Sequence, residues 1–261
     1  MRLRSHVTAS PRALTRRSLV ATTAALVALA CSHAQSREAP VIPASAPQLL
    51  TAIVDDWDTT KATLQLWTRD GKGWAKRGDA WPGVIGKTGA AWGDGLHGTG
   101  APDGLKGPAK HEGDGKSPAG AFAIRGAYGY ADAAKTPLPY TALTPSWQCV
   151  DDPKSKHYAT ILDRGGIAKP DWSSAETLRR DDALYTWVVD VAHNPSRVAG
   201  DGSCIFLHVW GGAESTTVGC TAMAEPRLAA LLGQLDPHAV FVLLPRPAYA
   251  SLAARWGLPP I

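Results

Sequence analysis

The sequence lacks the short cysteine and histidine spacings that build compact metal sites. It contains four cysteines and eight histidines but no Cys-x-x-Cys and no His-x-x-x-His pair. Structural and catalytic zinc sites usually draw on such closely spaced ligands. A site here would have to be assembled from scattered single residues, namely His193, His208, Cys204 and Cys220. We therefore predict no metal site.

The sequence also lacks a convincing nucleotide-binding loop. Residues 93–98 match the letters of the dinucleotide fingerprint Gly-x-Gly-x-x-Gly, but more Gly and Pro follow at once and no helix can start there. Gly115-Lys-Ser117 resembles the end of a phosphate loop. Lys110 stands where its first Gly belongs, however, and Pro118 interrupts any following helix. We expect no cofactor.

Acidic residues are absent from the first thirty residues, which carry five arginines before an apolar run from Leu19 to Ala30. This pattern predicts a signal peptide over residues 1–34 and a periplasmic or other extracytoplasmic location. Arg16 and Arg17 resemble a twin-arginine export signal, although paired arginines also occur in ordinary leaders. The residues before Cys31 form an imperfect lipoprotein box, so lipidation is the alternative.

Little net charge remains once the leader is set aside. Without its five arginines, 22 basic residues stand against 23 acidic ones, a net charge of −1. A nucleic-acid-binding domain would need a basic face, so we expect no nucleic-acid partner. No second long apolar stretch follows, so we expect no membrane span in the mature form. The oligomeric state is not predicted.

The remaining chain divides into a short linker and one domain. Residues 35–47 are rich in Pro, Ala and Ser and predict a flexible tether. Residues 48–261 show no internal repeat and no second linker, and they are enough for one well-buried domain.

Strand-like patterns dominate this domain. Strands are predicted at Leu49–Val54, Thr63–Thr68, Tyr185–Val191, residues 204–210 and Val240–Leu244. Leu228, Leu231, Leu232 and Leu235 have helical spacing, as do Tyr249, Leu252, Ala253 and Trp256. The fold class expected is mainly β with a few peripheral helices.

One stretch combines a histidine and a cysteine in a way that suggests chemistry. Residues 204–210 alternate, so Cys204, Phe206, His208 and Trp210 share one face of a strand. A Gly-Gly turn and a polar loop then lead to Gly219-Cys220, which we place just before a helix. The loop is long enough to fold back and bring Cys220 to face His208.

This pair fits nucleophilic catalysis by a cysteine. A nearby imidazole can take the proton of the thiol, and Gly219 leaves space for backbone N–H groups to form an oxyanion hole. The alternative from spacing alone is a core cysteine and a strand histidine that are merely close in sequence. A papain-like enzyme is disfavoured because there the cysteine precedes the histidine.

The motifs together resemble the L,D-transpeptidase family of the YkuD type. The similarity is carried by Lys110–Phe122, with its Gly-Asp-Gly-Lys-Ser-Pro-Ala-Gly-Ala-Phe run, by Cys149-Val-Asp-Asp152, by Gly202–His208 and by Gly219-Cys220. The resemblance implies a mixed β-sandwich and an exported cysteine acyltransferase acting on peptidoglycan stem peptides. It also implies that the Gly93–Gly107 and Gly113–Gly120 loops wall the cleft and that the Val209 carbonyl steadies His208.

The chain departs from the family at two positions beside the cysteine. Cross-linking members usually carry His before the Gly-Cys and Arg two residues after the Cys, where this chain has Val218 and Ala222. A hydrolase of the same fold, either an L,D-carboxypeptidase or an endopeptidase, is therefore an alternative. A non-catalytic cell-wall binding module is the alternative of another class.

The predicted site contains, besides Cys220, His208 and Gly219, three substrate-binding candidates. Lys110 could hold a donor carboxylate in place of the missing arginine, Trp210 follows His208 on its face, and His97 lies in the first glycine-rich loop. Four further residues could orient His208 or bind substrate: Asp151, Asp152, His157 and Asp190. Solvated surface side chains are the simpler interpretation of these acids and of Lys110.

Cysteine arithmetic predicts one disulfide. Export removes or lipidates Cys31, and the nucleophile must stay free in an oxidising compartment. Cys149 and Cys204 are then left to pair, closing a loop of 55 residues. Two buried free thiols are the alternative.

Overall fold

The computed structural model describes residues 41–71 and 73–261. The predicted signal peptide, Cys31 and residues 35–40 of the predicted tether lie outside the described residues.

Strands make up most of the described secondary structure. In chain order they are β1 Gln48–Val54, β2 Lys61–Arg69, β3 Trp74–Lys76, β4 Trp81–Val84, β5 Ala90–Trp92, β6 Asp94–Gly95, β7 Gly98–Thr99, β8 Ser117–Gly129, β9 Tyr140–Ala142, β10 Trp147–Val150, β11 Thr160–Asp163, β12 Ala175–Thr177, β13 Trp187–Val191, β14 Phe206–Val209, β15 Thr221–Met223 and β16 Val240–Pro245.

Two α-helices lie near the end of the chain, α1 at Glu225–Leu232 and α2 at Arg246–Trp256. A proline in the first turn starts each helix, where its missing N–H costs no hydrogen bond. Gly257 ends α2 in the left-handed conformation and donates its N–H to the Ala253 carbonyl. One short 3₁₀ turn lies at Arg164–Gly166. The described domain is therefore mainly β, as predicted.

Eight strands pair into one closed, barrel-like sheet. Their order is β1, β16, β8, β13, β14, β15, β4 and β2, and β2 pairs again with β1. The β1–β16 and β14–β15 pairs are parallel and the other pairs in the ring are antiparallel. The sandwich implied by the family resemblance is not confirmed, because the large sheet closes on itself.

The closed sheet has two buried faces. Leu207 and Val209 belong to the large apolar core, together with the buried leucines of α1 and β16. Phe206 belongs to a second cluster on the outer face, which is covered by the segment between β9 and β13. That segment includes a small separate sheet made of β11, β10 and β12. Alternation along β14 places His208 on the same outer face as Phe206.

Most of the predicted elements are present, although the strand predicted over residues 204–210 covers only Phe206–Val209. The strand predicted at Tyr185–Val191 pairs with the one that carries His208, Val188 lying opposite His208. Cys220, however, precedes β15 and not a helix, because residues 221–223 pair with β14 and β4 before α1 begins.

Residues 41–47 do not behave as a flexible tether. Ile42 and Ala46 are buried, and the Ile42 N–H donates to the Trp256 carbonyl at 3.3 Å. Their apolar side chains complete the core beside α2. Among the described residues, no helix is both long and apolar enough to cross a bilayer.

Candidate active site

The structure brings Cys220 and His208 onto one face of the sheet. In the parallel pair of β14 and β15, Leu207 lies opposite Thr221 and His208 opposite Ala222. Cys220 therefore lies opposite Phe206, which is two residues before His208 and on the same face of β14. Strand spacing and rise put the two Cα atoms roughly 8 Å apart. Their side chains point to the same side, as the sequence predicts.

The loop that delivers Cys220 is anchored by its backbone and by two hydroxyl groups. The Lys87 N–H donates to the Thr217 carbonyl at 2.8 Å. The hydroxyls of Thr217 and Ser117 donate to the Cys220 carbonyl at 2.6 and 2.8 Å. The Gly86 N–H in turn donates to the Ser117 hydroxyl. These contacts fix the position of Cys220 from three separate parts of the chain.

Gly219 has a steric role beside Cys220. Its φ of +155° is one that side chains rarely adopt, and a Cβ at this position would lie 3.2 Å from the Lys116 carbonyl oxygen. Its N–H donates to the Thr217 hydroxyl at 3.1 Å. That N–H is thus already engaged, so the oxyanion hole that the sequence suggests is not preformed by Gly219.

The Cys220 thiol is buried and held by backbone groups. Its Sγ donates to the Cys204 carbonyl at 3.4 Å and accepts from the Phe206 N–H at 3.3 Å. Burial raises the pKa of the thiol, and the charge of Glu176 raises it further. The thiol is therefore protonated at neutral pH in this structure.

His208 has a fixed tautomer. Its Nδ1 lies 2.8 Å from the Val209 carbonyl oxygen. A carbonyl only accepts, so Nδ1 carries the proton and Nε2 is left as the basic nitrogen. Burial lowers the pKa of His208 to about 4, which keeps the imidazole neutral. The resting pair is thus a neutral thiol and a neutral base, not an ion pair.

Two residues that the sequence did not single out complete the surroundings of this pair. The Tyr185 ring meets His208 edge-on, with centroids 5.1 Å apart, and packs in the same cluster as Cys220. Its hydroxyl donates to Glu176 Oε1 at 2.5 Å. Glu176 arrives on β12, opposite Cys149 of β10. Nothing in the local sequence marks this glutamate, because only the packing of the small sheet places it here.

A cleft of about 410 Å³ opens beside Cys220. Its lining is rich in charged residues and glycines: Lys87, Lys110, Glu112, Gly113, Gly115, Asp151, Glu176, Ser203, Cys204, Ile205, Val218, Gly219 and Cys220. The Gly113–Gly120 loop contributes to the wall, as the resemblance implies. The Gly93–Gly107 loop does not.

Lys110 reaches the cleft, and its ammonium group is bound within its own loop. The side chain is buried, and its Nζ lies 2.6 Å from both Asp114 Oδ1 and the His111 carbonyl. An ammonium group with these two partners is neutralised within its own loop. Lys110 thus lies at the cleft with its ammonium group already paired, and its binding of a substrate carboxylate stays a prediction. Its positive charge still acts on Cys220, where it lowers the pKa of the thiol against the larger effect of burial.

His97 and Trp210 do not line the cleft. His97 packs against the rings of Trp92, Phe122 and Trp256, and its Nδ1 accepts from the Ala121 N–H. It is a structural residue that fills the space above Gly120, so its predicted substrate-binding role is corrected.

Trp210 follows β14 and is half-buried. Its backbone N–H donates to the Met223 carbonyl at 2.9 Å. No contact in the described structure connects its ring to the cleft.

Three of the four other candidates for orienting His208 contact other residues. Asp152 binds Ser173, His157 packs on Trp172, and Asp190 pairs with Arg125. Asp151 lines the cleft, and its Oδ1 is buried with no hydrogen-bond partner among the described residues. The Val209 carbonyl fills the orienting position, as the resemblance implies, and the Leu184 backbone also acts on the His208 ring.

The predicted disulfide is present. Cys149 and Cys204 are bonded, with Cα atoms 5.9 Å apart, and Cys220 is the free cysteine of the described residues. The bond ties β10 to the segment that leads into β14. It thereby fixes the Cys204 carbonyl that receives the Cys220 thiol.

The scattered residues that could have formed a metal site are occupied by other partners. His193 accepts from the Asp94 N–H and donates to the Asp201 carbonyl, and Cys204 is in the disulfide. Across the described residues, no group of three or more His, Cys, Asp or Glu side chains is placed to hold a metal ion.

No family model, no curated protein and no solved structure matches this chain. The resemblance to L,D-transpeptidases accordingly rests on the sequence motifs quoted above. The placement of Cys220 and His208 on one sheet face does not depend on that resemblance.

Proposed function

We propose that the protein is an exported cysteine acyltransferase that acts on peptidoglycan stem peptides, with Cys220 as nucleophile and His208 as base. The observation that carries the proposal is the placement of Cys220 and His208 on one sheet face beside a cleft. A buried free thiol on the same sheet face as an imidazole with a defined basic nitrogen meets the first requirement of a cysteine enzyme.

The reaction follows from the protonation states in the resting site. Because thiol and imidazole are both neutral, the Cys220 proton moves to Nε2 of His208 as the Sγ attacks the carbonyl of the peptide. In the stem peptide this is the carbonyl of an L-configured diamino acid joined to D-alanine. The C–N bond breaks, the proton passes from His208 to the leaving amine, and a thioester remains on Cys220. An amine or water then resolves the thioester.

The acceptor decides between transferase and hydrolase. Ala222 lies opposite His208 and is fully buried, so this position offers no cation for a substrate carboxylate. This departure favours considering hydrolysis, by an L,D-carboxypeptidase or endopeptidase, as the second candidate function.

Incubation of the purified protein with defined muropeptides, followed by mass spectrometry, tests the proposal. We expect loss of D-alanine and a covalent adduct on Cys220. A cross-linked dimer identifies a transpeptidase, and a trimmed peptide identifies a hydrolase. Binding without turnover would favour a non-catalytic cell-wall module and contradict the proposal.

A further inference from the structure

The pair formed by Glu176 and Tyr185 connects the cleft to both members of the candidate catalytic pair. Tyr185 is 4% exposed and its ring contacts His208, while its hydroxyl donates to Glu176. The hydroxyl also lies within hydrogen-bonding reach of Cys220, although its hydrogen points to Glu176 in the resting site. Glu176 itself faces the cleft.

The cleft beside this pair carries unbalanced negative charge. Glu112 and Asp151 line it together with Glu176. Burial raises the pKa of Glu176, and the Tyr185 hydrogen bond and the charge of Arg180 lower it. The charges of Asp151 and Glu112 also raise this pKa, so both carboxylates lie close enough to act on Glu176. Of the two cleft lysines, Lys110 is neutralised by Asp114 and Lys87 is exposed.

The carboxylates differ in how many hydrogen bonds their oxygens accept. Glu112 Oε2 accepts from the Tyr158 and Ser203 hydroxyls at 2.5 and 2.7 Å. Asp151 Oδ1, by contrast, is buried and accepts from no group in the described chain. A buried oxygen without a donor is costly, and a ligand that brings N–H donors would remove that cost.

We propose that Glu176 and Tyr185 form a specificity-determining pair that receives an ammonium group of the substrate and thereby frees the Tyr185 hydroxyl to donate to the Cys220 thiolate. The proposal rests on the proposed function and refines its substrate class. The substrate is a peptide that keeps a free primary amine near the carbonyl under attack, as an unmodified diamino acid does. Asp151 supplies a second acceptor for the same ammonium group.

The exchange of partners conserves protons and charge. In the resting site the Tyr185 proton points to the Glu176 carboxylate, and that negative charge opposes formation of a thiolate at Cys220. An incoming ammonium group pairs with Glu176 and offsets its charge. The Cys220 proton passes to His208, and the Tyr185 hydroxyl turns its hydrogen toward the sulfur. Tyr185 stays protonated throughout and acts as a positioning residue.

The first test follows Cys220 alkylation by iodoacetamide between pH 6 and 9, without substrate. The titratable groups that act on the sulfur are Glu176, Lys110 and Tyr185, and His208 lies on the same face of the sheet. Glu176→Gln removes the opposing charge, so we expect alkylation three- to tenfold faster than in the unaltered protein. Tyr185→Phe removes only the hydroxyl, so we expect slower alkylation. General loosening of the site would accelerate both variants.

The second test compares a stem peptide that has a free side-chain amine with the same peptide acetylated at that amine. The unaltered protein should prefer the free amine by about tenfold in kcat/KM. Glu176→Gln should lose this preference, because it removes both the partner of the ammonium group and the charge that opposes the thiolate, so the two peptides should be turned over at similar rates. Glu176→Asp keeps the charge and should keep the preference, and this variant carries the test if Glu176→Gln does not fold.

The outcomes separate this inference from the proposed function. If no stem peptide is turned over, the proposed function fails, while the alkylation contrast still tests the coupling on its own. Equal losses on both peptides, or a Glu176→Gln protein alkylated no faster than the unaltered one, would overturn the inference and leave Cys220 catalysis standing.

Discussion

The interior of the barrel and the layer on its outer face are both buried, but they differ in chemistry. The interior is filled by aliphatic and aromatic side chains, among them Leu64, Phe122 and Leu243. The outer cluster contains a thiol, a disulfide and the Tyr185 hydroxyl, and His208 and Glu176 border it. Burial in the interior contributes stability. Burial in the outer layer also sets the protonation states of the groups proposed to react.

The largest effect is expected at the proposed catalytic pair of the outer layer, where substitution should abolish turnover with little loss of stability. Cys220→Ala and His208→Ala should each reduce turnover of a stem peptide by at least about a thousandfold, because base and nucleophile act as a unit. Cys220→Ala should melt close to the unaltered protein. His238→Ala, at an exposed histidine, is the matched control and should retain activity. Full activity in Cys220→Ala would show that Cys220 is not the nucleophile.

Removing the same atoms from the interior and from the outer layer should affect stability equally but reactivity differently. Leu243 in the interior and Leu178 in the outer cluster are both fully buried. Each Leu→Ala change should cost about 2–5 kcal/mol of unfolding free energy, measured by denaturant titration. Only Leu178→Ala should also change the rate of Cys220 alkylation. An equal change in alkylation rate for Leu243→Ala would show that the two regions are not separate.

Removal of the disulfide should weaken the outer layer. Replacing both Cys149 and Cys204 by Ser opens a 55-residue loop, and loop entropy gives a loss of about 4 kcal/mol. Since the Cys204 carbonyl receives the thiol, Cys220 should also alkylate faster. Thiol titration of the unaltered protein should first show one free thiol, which establishes that the disulfide is present. If the double variant then unfolded at the same denaturant concentration, the entropic account would be contradicted.

Acidification should destabilise the protein through its buried histidines. Burial holds the pKa of His208 and of His193 at about 4, below the ordinary value of 6.5. A depressed histidine pKa contributes stability that is present above pH 6.5 and is lost as the pH falls through 4. Asp190 opposes this loss, because burial raises its pKa to about 6 and its protonation becomes favourable over the same range.

The net loss from these groups should be about 3 kcal/mol between pH 7 and 4. Denaturant titrations at several pH values measure it, and His208→Gln should make the slope shallower by removing one of the two histidines. A slope unchanged by both His208→Gln and His193→Gln would exclude this cause.

Local patterns in the sequence predicted much of the fold. A strand-like stretch marked β1, alternation marked β13 and β14, and the leucine spacing marked α1. Closure of the barrel could not be predicted, because it depends on β1 pairing with both β2 and the distant β16. The sequence also placed a helix directly after Cys220, since the three residues of β15 are too few to show a period.

The site was predictable where it depends on neighbours in sequence. His208, Val209 and Cys220 belong to one continuous stretch. The partners of Lys110 and the arrival of Glu176 depend on how loops and the small sheet pack, which no local pattern encodes. Sequence reasoning therefore identified the proposed nucleophile and base but not the groups that tune them.

The closing strand of the barrel also constrains how the chain folds. β16 enters the ring between β1 and β8, so until Val240–Pro245 is in place both of those strands present an unpaired edge. Contacts between strands so far apart in sequence form slowly, because a long loop must close first. Open edges invite pairing with other chains in the meantime. Folding is therefore completed late, and a chain that stops before β16 is exposed to aggregation.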